Sequence, residues 1–474
     1  MLYRPSKGRI WDPTVIRYHD TFYMFTMYYE EGTSESYACR LATSKDGVHW
    51  EDWGSVLTDS KPVWKCGIAK IGNKFYMNYG SKSGEVVNGI EHNDTMGYAV
   101  SQDLFHWQKI GYDHPDTRWY ESHERWDHMY VTENHTGEYL GYIVAIPKTE
   151  FGGLCGLRRS YDGINWENCP PPVIDWCGLD ETREMEVGGC EKVNGRWYLM
   201  GGICAPFNGN YGYGAFVFES ENPEGPFKPC TKNRLSGHNG VPGRIFVSCL
   251  PGFVHDYDNE NGDLLVSTAV CDEHCWAGLL HKAKCEPDGM FLDWWEGNDC
   301  LKGEAIICPE TVNCCSEGIP GYKLTDHFAE NAFLNFDAGK GLYLEGTITV
   351  SVFPARGPVR ANVWRPSAGG FKLGQSAILT EIGNPKFART TIGPIENGAF
   401  IPQDVVGNFD AARAYLEPGR ATAFKLIVKH DIAQLYIENR LCQTFVTNET
   451  PTNLSLFCKN ADVTINNLKA YQMK

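Results

Sequence analysis

Three acidic residues stand at matching places in widely separated segments of this chain: Asp12 in IWDP, Asp127 in RWDH and Glu186 in MEVGG. Each opens a segment that runs on into an aromatic strand. Carboxyl groups in such a set do acid and base work. One attacks, or activates water, while a second, protonated, feeds the leaving oxygen, which is the division of labour that breaks a glycosidic bond. A third can hold ring hydroxyls and oppose the positive charge that develops on the sugar. Asp12, Asp127 and Glu186 are therefore the expected catalytic residues. Any one of them alone would pass for a solvated turn acid, but three in register would not. Glu184, two residues before Glu186 and so on the same face of an extended strand, is the rival for the acid role.

Other side chains at the same openings suit a sugar ligand. Trp11, Trp64 and Trp126 can lay an indole on the apolar face of a sugar ring. Lys65, Arg125 and Arg244 can donate to hydroxyls, as can Arg183. Trp11, Trp64, Lys65, Arg125, Trp126 and Arg244 form the expected substrate-binding set, although an indole can equally serve packing and a cation can equally pair with one of the acids. Cys271, His274, Cys275 and Cys285 lack the paired C-x-x-C spacing of a zinc site. Neither a metal nor a cofactor is expected.

The elements that must position these residues form a repeat with a period of roughly 60 residues. Its openings are WDPTVIRYHDTFYMFTMYY, VWKCGIAKIGNKFYMNYG, RWDHMYVTENHTGEYLGYIVA, EVGGCEKVNGRWYLMGG and GRIFVSCLPGFVHDYDNENGDLLVSTAV. Its closings are LATSKDGVHWED, YAVSQDLFHWQK, LRRSYDGINWEN and a degenerate VFESENPEGPFK, with a distant echo in CEPDGMFLDWW. An alternating strand, an S-x-D-G-type turn and an aromatic edge strand recur in these closings. Four strands per unit describe a β-propeller, whose first strands converge on one axis. From about Gly318 the repeat gives way to alternating strands such as LYLEGTITVSVF and TAFKLIVKHDIAQLYIENRLCQTF, which read as a sandwich. The expected fold is all-β: a five-bladed β-propeller over residues 1–316 followed by a C-terminal β-sandwich over 317–474.

Composition sets the outer limits. Fifty Gly, 25 Pro and 13% aromatic residues favour an all-β chain. A formal net charge of -16 argues against nucleic acid and anionic membrane as partners. The longest apolar stretches are strand-sized, so no membrane span is expected. The opening MLYRPSKGRIWDP has no apolar export run, and the 18 cysteines are scattered. Both features point to a reducing cytoplasm.

Taken together, these residues resemble the propeller glycosidases of glycoside hydrolase family 32 and, next to it, family 43. The resemblance spans the whole chain. It rests on the early Asp12–Pro13, the mid-propeller Asp127, Glu186 followed nine residues later by GRWYL, and the S-x-D-G-x-x-W turns. The closing strands are similar to the sandwich that ends family 32 enzymes. That family has an Asn before its first Asp-Pro, an Arg-Asp-Pro element and a Glu-Cys pair, where this chain has IWDPTV, RWDH and Glu186–Val187.

By this resemblance Asp12 is the nucleophile, Glu186 the acid/base and Asp127 the transition-state stabiliser of a retaining, exo-acting enzyme on small fructofuranosides. Family 43 would instead make Asp12 a general base in an inverting arabinofuranosidase or xylosidase. A carbohydrate-binding propeller without chemistry is the alternative from another class. The expected partner is a small carbohydrate, with the sandwich serving for packing and for a homodimer contact.

Overall fold

The computed structural model describes the chain except residues 1, 135–136, 204–212, 237–250, 260–261, 272–274, 317–327, 353–366, 382–389, 397–398, 401–415 and 448. Strands dominate it. The first meander is β1 (Arg9–Tyr18), β2 (Thr21–Tyr29), β3 (Ala38–Ser44) and β4 (Glu51–Thr58). The second is β5 (Cys66–Ile71), β6 (Lys74–Val87), β7 (Ile90–Ser101) and β8 (Gln108–Asp113). The third is β9 (Trp126–Asn134), β10 (Glu138–Ala145), β11 (Gly156–Ser160) and β12 (Glu167–Cys169). The fourth is β13 (Glu186–Val193), β14 (Arg196–Ile203), β15 (Gly214–Ser220) and β16 (Lys228–Ser236). A fifth set begins with β17 (Gly252–Asp256) and β18 (Leu265–Ser267), continues through the short hairpin β19 (Ala269–Cys271) and β20 (Cys275–Ala277), and reaches β21 (His281–Glu286).

Local sequence explains the hairpins. β1 and β2 are joined by His19 and Asp20, both left-handed at φ 51 and 52, between the paired Tyr18 and Thr21. Two consecutive left-handed residues make the type I′ turn that matches strand twist. Asn88–Gly89 and Asn194–Gly195 repeat it with the residues that tolerate it best. The S-x-D turns share one bonding pattern. Ser44, Ser101 and Ser160 each accept the N–H three residues on at 2.9 Å, while Asp46, Asp103 and Asp162 accept the two N–H groups that follow.

The opening strands form a ring. β1 packs against β5, β5 against β9, β9 against β13 and β13 against β17, and β17 pairs in parallel with β1 through Ile16–His255 and Arg17–Asp256. Apolar side chains fill the spaces between meanders, as where Phe25 and Leu41 meet Ile68, Phe75 and Met77, or where Leu140 and Tyr142 meet Val187, Leu199 and Phe216. This is the β-propeller that the repeat predicts.

The chain divides into two compact units, Met1–Leu235 with Ser248–Met290, and Ser236–Val247 with Phe291–Lys474. Strands Lys302–Ile306 and Val312–Cys315, which lie before the expected boundary at 316, pair with the C-terminal strand Ala461–Met473. The second unit is a β-sandwich. One of its sheets includes Ala461–Met473, Leu342–Val352, Thr422–Lys429 and Ile432–Ile437; the other includes Phe328–Asn335, Asn453–Lys459, Ala368–Leu373 and Ser376–Glu381. Leu344, Leu426, Phe371 and Leu456 are among the buried residues between them. Among the described residues, no helix is long and apolar enough to cross a membrane.

Candidate active site

The three acids meet at the site end of the ring, each on a strand that departs from regular pairing. Asp12 is left-handed at φ 47, where β1 loses register with β2 between Trp11 and Thr14. Asp127 is the second residue of β9, whose pairing with β10 shifts between Ile143 and Ala145. Glu186 opens β13, which slips against β14 between Val187 and Gly189. Bulges re-aim side chains at strand ends, and here they do so on all three acid-bearing strands.

Arg125 gathers the acids. Its Nη2 donates to Asp127 Oδ2 at 3.0 Å, and its Nη1 donates to Glu186 Oε1 at 3.0 Å and to Glu184 Oε1 at 2.8 Å. Arg125 thus binds carboxylates rather than standing free for hydroxyls. Glu184, two residues ahead of β13, joins Glu186 on the same guanidinium. Although burial works against the charge of Arg125, Asp127 and Glu186 hold its proton more firmly than usual.

The acids differ in environment. Burial, then Glu186 beside it, pushes the Asp12 carboxyl far above the usual carboxylate range, with Lys65 opposing. Asp12 Oδ1 is buried with no hydrogen-bond partner. Burial would also raise Asp127, but the His128 ring and the Arg125 charge outweigh it and hold that carboxyl well below its ordinary value; the His128 backbone N–H donates to Asp127 Oδ1 at 2.7 Å. The result is one acid kept ionised, Asp127, and one, Asp12, that burial and the charge of Glu186 push toward its neutral form.

The expected ligand contacts fall into three groups. Trp64 and Lys65 lie at the acids. A Cβ added to Gly80 would stand 1.9 Å from Asp127 Oδ1 and 3.0 Å from Trp64 Cε3, so glycine is what lets the two side chains meet there. Trp64 Nε1 donates to Glu35 Oε1 at 2.9 Å, and Lys82 Nζ lies 5.8 Å from its ring centre. Lys65 is buried, with Nζ 3.4 Å from the Val187 carbonyl. Trp11 is half-buried against Tyr213, Ala269 and Cys275.

Trp126 is not a ligand contact. It is 0% exposed, packs with Tyr120 and Met129, and donates its indole N–H to Asp113 Oδ1 at 3.0 Å. Strand alternation is the reason: Arg125 and Asp127 share one face, and Trp126 between them points to the other. Arg183 also faces elsewhere, donating to the Pro147 carbonyl at 2.7 Å. Arg244 and His274 lie outside the described residues. Among the described residues, no three His, Cys, Asp or Glu side chains group as metal ligands.

Two residues here were not singled out from sequence. Asp94, at the site end of the long β6–β7 hairpin, accepts the Trp126 backbone N–H; burial and then Asp127 push its carboxyl up to about 6. Its signal is the length of that hairpin. His128 adjoins Asp127, and its ring Nε2 lies 2.9 Å from the Val187 carbonyl. No spacing rule distinguishes it from a core histidine.

No protein-family model matches the chain, and no curated protein does. Solved structures share its fold end to end. A sucrose-6-phosphate hydrolase from Lactobacillus gasseri aligns with a TM-score of 0.67 and 13% identity, over 99% of this chain and 92% of that one. A GH32 beta-fructofuranosidase from Bombyx mori aligns at 0.65 and 11%, over 99% and 92%. The fructan 1-exohydrolase IIa of Cichorium intybus aligns at 0.65 and 15%, over 100% and 96%. At such identities the likeness is one of fold: this chain has the propeller-and-sandwich architecture of those glycoside hydrolases.

Proposed function

We propose that this protein is a glycoside hydrolase acting on a small carbohydrate, most like a fructofuranoside, by an exo-acting, retaining mechanism. The observation that carries the reading is the shared guanidinium. Arg125 holds Glu186 and Asp127 together, with Asp12 close enough to Glu186 for the Glu186 charge to raise it. Adjacent carboxyls are what a retaining glycosidase needs, one to attack and one to protonate the leaving oxygen, and Asp12 attacks in the form that has lost its proton.

In this reading Asp12 attacks the anomeric carbon as the bond to the leaving oxygen breaks and Glu186 gives that oxygen its proton. Glu186 then takes a proton from water, which attacks the anomeric carbon and frees Asp12. Asp127, kept ionised, opposes the positive charge of the oxocarbenium-like transition state. Trp64 walls the site with an indole held at its edge by Glu35. The shared fold of a sucrose-6-phosphate hydrolase and a fructan exohydrolase supports a small substrate.

The test is release from a panel of small fructofuranosides, arabinofuranosides, xylosides and galactosides, with the anomer of the first-formed product followed by NMR. Release with retained configuration is expected, with the fructofuranosides preferred. An inverted product would recast Asp12 as a general base, and no release from any member would contradict the proposal.

A further inference from the structure

We propose that His128 and Lys65 are positioning residues that aim Glu186, acting through the main-chain carbonyl of Val187 on which both converge. The inference rests on the reading of Glu186 as a reacting acid. Glu186 is the first residue of β13, and the register shift lies immediately after it, between Val187 and Gly189, with Gly189 at φ 140. A Cβ at Gly188 would stand 2.2 Å from the Pro251 carbonyl, so the backbone there is tightly held on its other side. Where a strand leaves its ladder, something else must fix its carbonyls. His128 Nε2 reaches Val187 O from the third meander at 2.9 Å, and Lys65 Nζ reaches it from the second at 3.4 Å.

Both donors are built in. His128 is 4% exposed and Lys65 8%. A ring that donates through Nε2 leaves Nδ1 bare when neutral, and His128 Nδ1 has no hydrogen-bond partner, with Asp127 Oδ1 3.8 Å away. His128, Lys65, Val187 and Gly188 help line a cavity of about 20 Å³, space for about one water. Burial, with Lys65 nearby, disfavours a second proton on the ring, and Asp127 favours it. The balance lies toward the neutral form, whose N–H must then be on Nε2. The His128 main-chain N–H separately serves Asp127 at 2.7 Å. A side-chain substitution therefore removes the Val187 bond and the ring's influence on Asp127, and leaves the main-chain bond to Asp127 in place.

The experiment has two arms. On whichever glycoside the wild-type protein cleaves, His128→Phe should lower kcat by about tenfold or more with KM within about threefold, and His128→Gln, which restores a donor, should recover most of the loss. Lys65→Met should add to the Phe defect. Independently of turnover, nitrogen NMR should find the Nε2–H tautomer at His128, and the Val187 carbonyl carbon should move upfield in His128→Phe. A bare Nε2, an unmoved Val187 carbonyl, or a Phe variant with wild-type kcat would each overturn the inference, as would a Gln variant no better than Phe. If the wild-type protein cleaves nothing, the hydrolase reading fails, while tautomer and carbonyl shift still decide whether the convergence on Val187 exists.

Discussion

Asp12 carries a cost that should show in stability before any substrate is found. Its carboxyl is raised by burial and by Glu186, so the folded protein holds that proton more firmly than the unfolded chain does. For a raised acid, the stabilising contribution is full below the unfolded pKa and is lost as pH rises through the folded one. Asn does not titrate. Asp12→Asn should therefore melt higher than wild type at neutral pH, by about 2 °C or more, and the gap should widen between about pH 4 and pH 8 and vanish in acid. Melting curves across that range check it, and a gap that shrinks with rising pH would contradict the assigned environment. The convergence of the three acids was legible in the sequence because a repeat puts each near the start of an opening strand. Trp126 was misread because its type suits a sugar while the alternation of its strand sends it inward.

At the scale of the element, the recurring turn sets two effects against each other. Gly47 and Gly163 occupy the left-handed position of their S-x-D turns at φ 73, and Leu104 occupies the same place at φ 72. Leucine there is strained by roughly 1 kcal/mol or more, so glycine looks like an improvement. Leu104 is also 1% exposed, inside the core shared by the first two meanders. Emptying such a site costs about 2–5 kcal/mol. Burial wins, and Leu104→Gly should lower stability by a few kcal/mol in chemical denaturation; an unchanged midpoint would contradict that packing. Strand boundaries and turns were largely readable because their chemistry is local. The bulges at Asp12 and Val187 were not, since register loss depends on what the neighbouring strand offers. The bonding of Trp126 to Asp113 escaped for the same reason.

At the scale of the molecule, the ring of opening strands makes distance along the chain irrelevant to the site. It also concentrates acids: Asp12, Asp94, Asp127, Glu184 and Glu186 surround Arg125 and Lys65, in a chain of formal charge -16. A neutral sugar should therefore be handled better than its phosphorylated counterpart, and added salt should narrow the difference in kcat/KM by screening. Equal or better use of the phosphorylated sugar at low salt would contradict this. The propeller and sandwich were readable because a repeat and its loss are both visible in sequence. The division between the units was less so, because strands Lys302–Ile306 and Val312–Cys315 join partners that lie far along the chain.

The central claim, that Asp12 and Glu186 divide one reaction between them, is tested most directly by comparing kcat/KM for an unactivated glycoside and for one with an acidic aryl leaving group. Asp12→Asn should lose about a thousandfold or more on both, whereas Glu186→Gln should lose as much on the first and far less on the second, whose leaving group needs no proton. Near-wild-type turnover in either variant on the unactivated substrate would contradict the account.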